Sequence, residues 1–299
     1  MARMTPEQLV ERLRSFPKAG PEVTWEQRRA GMDRASAKAP LPEGTTVTAV
    51  DADGVPGEWI TSSVGSDGPA TLYLHGGGYT MGSFVTHRAL AANLAAATRG
   101  PVLLIEYRLA PEHPCPAAID DARTAWRYLL AQPGIDVART AIGGDSAGGG
   151  LTAATLLALR AHGDPLPGCA VLLSPWVDMT LEAASLQTLA DADPMVDQLT
   201  LSMSADAYAG SLDRRDPAVS PLFGDWAAMP PMLVQVGELE VLLDDARALA
   251  ERVTAAGGSV TLEEWAGMVH VWQSFCGMIE DADRAVTRLG EFIRSSTGT

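Results

Sequence analysis

From about residue 70 onward, short apolar runs bounded by Gly and Pro alternate with Ala-rich stretches of helical character. The runs at 70–75, 101–107, 140–143, 168–173, 232–236 and 260–265 read as strands, and the first five are almost continuously apolar. Continuous apolar strands belong in the middle of a sheet covered on both faces. The stretches at 86–98, 117–130, 147–161, 243–256 and 282–293 read as the covering helices. Repeated strand–helix alternation predicts an α/β fold with a mostly parallel sheet. Ahead of it, 45–50 and 58–62 flank Asp53-Gly54 and a Pro56-Gly57 pair, the pattern of an antiparallel hairpin that opens the sheet.

Two segments interrupt the alternation. Residues 1–40 are helical but precede every strand, and residues 180–216 fall between two strands of the series. An insertion beyond the carboxyl end of a strand lies where open α/β sheets bind ligands. The 299 residues are long enough for about two domains by length alone, but the strand series takes most of them. The expectation is one domain over 1–299 with a cap formed by about 1–40 and 180–216.

Composition narrows the function. With 46% hydrophobic and 20% charged residues the chain is a packed globular protein. No apolar run approaches the ~20 residues of a membrane span. The first 16 residues alternate charged and apolar types, the pattern of an amphipathic helix and not of a signal peptide. A cytoplasmic location is the default expectation. Asp plus Glu number 37 against 22 Lys plus Arg, a net charge of −15, which argues against a nucleic-acid partner. Cys115, Cys169 and Cys276 show neither metal-site spacing nor an even disulfide count. No metal and no cofactor are expected.

Gly144-Asp145-Ser146-Ala147-Gly148 matches the nucleophile-elbow pattern G-x-S-x-G, and it has the required context of a strand before it and a helix after it. Small flanking residues allow the cramped turn that exposes a serine hydroxyl at the positive end of a helix. His75-Gly76-Gly77-Gly78-Tyr79 ends the strand at 70–75. Such a glycine run brings backbone N–H groups close to an oxyanion, and Ala147 adds a further N–H from the helix start. His75 precedes the glycines and reads as a group that orients the loop. His270 follows the last strand, the place of the general base when the chain order is serine, acid, histidine. The acid is open between two positions: Glu240, on the loop after the strand at 232–236, and Asp244, a helical turn later. Glu240 is the favoured one because an acidic residue at the start of a helix also complements its dipole.

On these residues the chain resembles the bacterial hormone-sensitive-lipase-like family of carboxylesterases. The likeness runs from about residue 70 to the C-terminus. It rests on HGGGY at 75–79, YRLAPEHPCPAAIDD at 107–121, GGDSAGG at 143–149, Ser174-Pro175-Trp176, Pro230-Pro231 and Gly267-Met268-Val269-His270. The resemblance implies an α/β-hydrolase fold, an eight-stranded sheet with helices on both faces and a helical cap. It puts the nucleophile on Ser146, the base on His270, and the oxyanion donors on the N–H groups of Gly77, Gly78 and Ala147. The acid position, an Asp opening D-x-L in many members, is Glu240 here. The implied activity is serine carboxylester hydrolysis of a small-molecule ester, short to medium in chain and neutral. A lactone, or a bulky terpenoid or acyl-sugar ester, would use the same machinery. A non-catalytic ligand receptor on the same fold is the rival of another class, and it would lack the histidine present at 270. Pairing of the strand at 260–265 through its free edge offers a route to a homodimer.

Overall fold

The apolar runs become strands whose successive side chains enter two different cores. In β3 (Ala70–Leu74), Leu72 and Leu74 join one core while Tyr73 joins the other. β4 (Val102–Ile105) does the same, with Leu103 and Ile105 against Val102 and Leu104. This is why period-2 alternation is invisible in the sequence: both faces are apolar because both are covered. The computed structural model describes residues 3–16 and 18–299.

Six further strands complete one sheet. They are β1 (Thr45–Ala52), β2 (Val55–Ser62), β5 (Thr140–Asp145), β6 (Cys169–Leu173), β7 (Met232–Gly237) and β8 (Val260–Trp265). The order is β1-β2-β4-β3-β5-β6-β7-β8, with β2 antiparallel to both neighbours and every other pair parallel. The hairpin is longer than the sequence suggests. Asp53 (φ 57°) and Gly54 (φ 94°) make a two-residue turn that lets pairing continue to Ala52↔Val55. The Pro56-Gly57 pair therefore lies inside β2. Pro56 presents its carbonyl to Glu106 N at 2.9 Å, just past the end of β4, so its missing N–H breaks no ladder bond.

Helices α3 (Phe84–Thr98) and α9 (Glu280–Ser296) cover one face. α4 (Ala117–Leu130), α5 (Ala147–His162) and α8 (Leu243–Ala255) cover the other. The interrupting segments hold α1 (Pro6–Arg14) and α2 (Trp25–Ser36), then α6 (Ser185–Thr188) and α7 (Gln198–Ala209). Capping boxes fix where the first two begin, Thr5 with Gln8 and Thr24 with Gln27, each worth about 1 kcal/mol. Of the amphipathic start, Met1 and Ala2 lie outside the described residues. Leu9 of α1 is buried against Met268, Val269 and Trp272 in a third, smaller core. The loops after β3, β5, β6, β7 and β8 all leave the same edge of the parallel strands, where functional groups of such sheets converge.

Candidate active site

β5 ends at Asp145 and α5 begins at Ala147, leaving Ser146 alone on the turn with φ 53° and ψ −121°. That backbone is costly for a residue with a β-carbon, of order 1–3 kcal/mol. The surroundings impose it. Ser146 N–H donates to Leu173 O at 2.8 Å, and Ser146 O accepts from Trp176 N at 3.0 Å. A β-carbon on Gly148 would meet Leu74 O at 2.0 Å, so only glycine lets α5 start this close to β3. Ser146 is partly exposed in an otherwise buried turn.

The glycine-rich loop lies beside it. His75 is fully buried, with its ring 4.2 Å from Tyr107 in a stacked pair and Nδ1 2.8 Å from Gly76 O. Burial, with His87 adding to it, pushes its pKa down to about 3, so it is neutral and enclosed at the start of the loop. Gly76 N–H lies 3.2 Å from Asp145 Oδ1 and 3.2 Å from His87 Nε2, and Tyr73 OH donates to the same carboxylate at 2.9 Å. Burial alone would raise the Asp145 carboxyl, but His87 and Tyr73 hold it below its ordinary value. Gly77 sits at φ 120°, open only to glycine. Among the described residues, the N–H groups of Gly77 and Gly78 have no protein acceptor. Ala147, as the first residue of α5, has an N–H with no i−4 partner.

On the other side, His270 Nδ1 is 2.8 Å from Glu240 Oε2, and both residues are buried. Glu240 Oε1 accepts from Ser174 Oγ at 2.7 Å and from Gly237 N–H at 2.5 Å. Burial pushes the imidazole pKa down, but the hydrogen bond and charge of Glu240 outweigh it, with Asp193 and Asp145 adding, and the net shift is upward. Asp244, the other acid candidate, and the neighbouring carboxylates have different partners. Asp244 accepts from Ser185 N at 2.9 Å and faces Arg247. Asp245 accepts from Val177 N and Asp178 N, and burial pushes its carboxyl up to about 8. Glu238 accepts from Gly267 N. The two halves of the site meet through 173–176: Leu173 and Trp176 hold the Ser146 backbone, while Ser174 holds Glu240.

Three contributors carried no sequence signal of their role. His87, on α3, reaches Asp145 across 58 positions. Ser174 reaches Glu240 across 66. Asp193 is buried and accepts from Val241 N at 3.0 Å, fastening the residue next to Glu240.

The interrupting segments touch the same loops. A β-carbon on Gly78 would come 2.9 Å from Ser204 Oγ on α7. Tyr208 of α7 stacks on Tyr79 at 3.7 Å. Arg29 of α2 donates to Thr80 O and Ala110 O at 2.7 and 2.9 Å and pairs with Glu112. Arg14 of α1 donates to Asp191 O at 3.0 Å. All three cysteines are free. No helix among the described residues is long and apolar enough to cross a membrane.

A strained serine between strand and helix, a glycine-rich loop with free N–H groups and a carboxylate-bound histidine, on this sheet, define an α/β hydrolase. A family model described as the α/β hydrolase fold matches residues 71–274, and the chain belongs to that family. Within it, the chain is a carboxylesterase of the bacterial hormone-sensitive lipase family, a serine hydrolase acting on esters. It is 42% identical over 276 residues to an acetyl-hydrolase of Streptomyces hygroscopicus, covering 91% of each chain. It is 37% identical over 235 residues to an ethyl acetate hydrolase of Pseudomonas putida, covering 76% of this chain and 73% of that one. A solved esterase of the bacterial hormone-sensitive lipase family shares 42% identity and superposes with TM-score 0.93 over 100% of both chains. EstE5, soaked with p-nitrophenyl butyrate, shares 40% identity at TM-score 0.93, covering 98% of this chain and 99% of that one. An enzyme of this class leaves no place for the non-catalytic receptor reading.

Proposed function

We propose that Ser146, His270 and Glu240 form the catalytic triad of this carboxylesterase, with the N–H groups of Gly77, Gly78 and Ala147 as its oxyanion hole. His270 Nε2 takes the Ser146 proton as Oγ attacks the ester carbonyl. The carbonyl π electrons move to oxygen, and the three N–H groups stabilise that charge. Glu240 holds Nδ1–H and stabilises the imidazolium. Collapse of the tetrahedral intermediate breaks the C–O bond, and His270 gives its proton to the leaving alcohol. It then takes a proton from water, whose oxygen attacks the acyl carbonyl. Collapse of this second intermediate breaks the Ser146 Oγ–acyl bond, His270 returns the proton to Oγ, and the acid leaves. The observation that carries this reading is the 2.8 Å contact between buried His270 and buried Glu240, on loops adjoining the Ser146 turn.

Residues 1–40 and 180–216 act as one cap on a single domain spanning 1–299. Their contacts from α1, α2 and α7 to the loops around the site support this. The substrate is a short- to medium-chain neutral ester. Support comes from the small acyl esters in the names of the relatives and from the net charge of −15, which disfavours anions. Among the described residues the outer edge of β8 pairs with no strand, and a second copy docked there forms a homodimer. Sedimentation at twice 31.4 kDa is the expected result, and sedimentation at 31.4 kDa contradicts it.

Ser146→Ala assayed with p-nitrophenyl acetate and butyrate tests the mechanism. Activity should fall by at least about 10⁴-fold, and retained turnover overturns the triad. A panel of linear esters and lactones tests the substrate class: higher kcat/KM on a lactone, or on a bulky terpenoid or acyl-sugar ester, replaces the short-ester reading.

A further inference from the structure

Ser174 is the first residue after β6, fully buried, with φ 46°. Its hydroxyl has two partners on two different loops. Oγ donates to Glu240 Oε1 at 2.7 Å and accepts from Val271 N–H at 3.1 Å. Its own N–H donates to Gln235 O at 2.7 Å, tying it to β7, the strand that leads to Glu240. Val271 follows His270 directly and also has a positive φ, 47°. A β-carbon is unfavourable at both positions, and a single hydroxyl joins the two.

We propose that Ser174 is a positioning residue that sets the carboxylate of the acid and the loop of the base relative to each other; this rests on the triad reading of Ser146, His270 and Glu240. A hydroxyl has one hydrogen to give. Because Val271 N–H occupies a lone pair, the Ser174 hydrogen is committed to Glu240. Gly237 N–H engages the same oxygen at 2.5 Å. Rotating the Glu240 carboxylate would therefore break two bonds to Oε1, which leaves Oε2 facing His270 Nδ1. Glutamate has one more rotatable bond than aspartate, so a carboxylate at this site needs such a clamp to hold one orientation. The Val271 contact makes the backbone beside His270 part of the same clamp.

A double-mutant cycle tests the role. Ser174→Gly and Ser174→Ala are measured with p-nitrophenyl butyrate in the parent and in Glu240→Gln, with kcat and KM separated. Glycine keeps the positive φ without strain, so a loss shared by both variants belongs to the hydroxyl. In the parent, kcat should fall roughly 10–100-fold, as for a lost hydrogen bond to a charged group, with KM within about twofold. In Glu240→Gln the same changes should alter kcat by less than about threefold, because the group Ser174 acts through is already disabled. An equal loss on both backgrounds, or full activity in Ser174→Gly, overturns the proposal. If Glu240→Gln is impaired while Ser174→Gly is fully active, only the positioning role fails. If Glu240→Gln keeps full kcat, the triad reading fails and takes the positioning role with it.

Discussion

The 2.8 Å contact between His270 Nδ1 and Glu240 Oε2 separates two carboxylates that lie four residues apart in sequence. Glu240 meets the histidine, whereas Asp244 holds Ser185 and Arg247. Glu240→Gln should lower kcat by up to about 10⁴-fold through a mis-set tautomer. Asp244→Asn should cost less than about tenfold, since its exposed pair with Arg247 is worth little. Steady-state kinetics of the two variants checks this, and the reverse order moves the acid to Asp244. The histidine also sets the pH dependence. As the proposed base it must be neutral, and its pKa is raised: burial lowers it, but the Glu240 hydrogen bond and charge, together with Asp193 and Asp145, outweigh that. The acid limb of kcat/KM should therefore have a midpoint above the ordinary histidine value near ~6.5. In Glu240→Gln that opposing charge is gone and burial remains, so the midpoint of the residual activity should move down. A pH–rate profile of both proteins tests the direction.

Among the elements, the start of α5 depends on one close contact, and α1 packs on the His270 loop. With Leu74 O only 2.0 Å from where a β-carbon would stand, Gly148→Ala forces α5 away from β3 and distorts the Ser146 turn. The expected result is loss of soluble protein or of activity on purification, and a fully active Gly148→Ala contradicts it. Leu9 of α1 is 2% exposed and packs on Met268 and Val269, next to His270. Leu9→Ala should destabilise by about 2–5 kcal/mol, read from denaturant unfolding, and should lower kcat by loosening that loop. The strands and the helices α3, α4, α5, α8 and α9 were legible because they are local patterns, apolar runs ended by Gly and Pro. The turn motifs at Ser146 and Gly76–Gly78 were legible because strained backbone demands particular residues at fixed spacing. His87, Ser174 and Asp193 were not. Each works through a partner 48 to 66 positions away, and a buried polar residue in an α/β chain has no local signature of its partner.

Across the whole molecule, the order β1-β2-β4-β3-β5-β6-β7-β8 brings the loops after β3, β5, β6, β7 and β8 to one edge, so the loops that carry Ser146, Glu240 and His270 leave the sheet on the same side. The overall charge of −15 acts at the same scale. An ester carrying a carboxylate should be turned over with lower kcat/KM than its neutral isostere, and the gap should narrow as salt is raised, because screening shortens the reach of the field. A gap that does not change with salt would place the discrimination in the pocket itself. The central claim is that Ser146 is the nucleophile. Its most direct test is mass spectrometry after titration with a p-nitrophenyl phosphotriester inhibitor. One phosphoryl adduct per chain on the peptide containing Ser146, with activity lost in proportion, is the predicted result. An adduct on another residue, or hydrolysis that persists with Ser146 fully labelled, would contradict it.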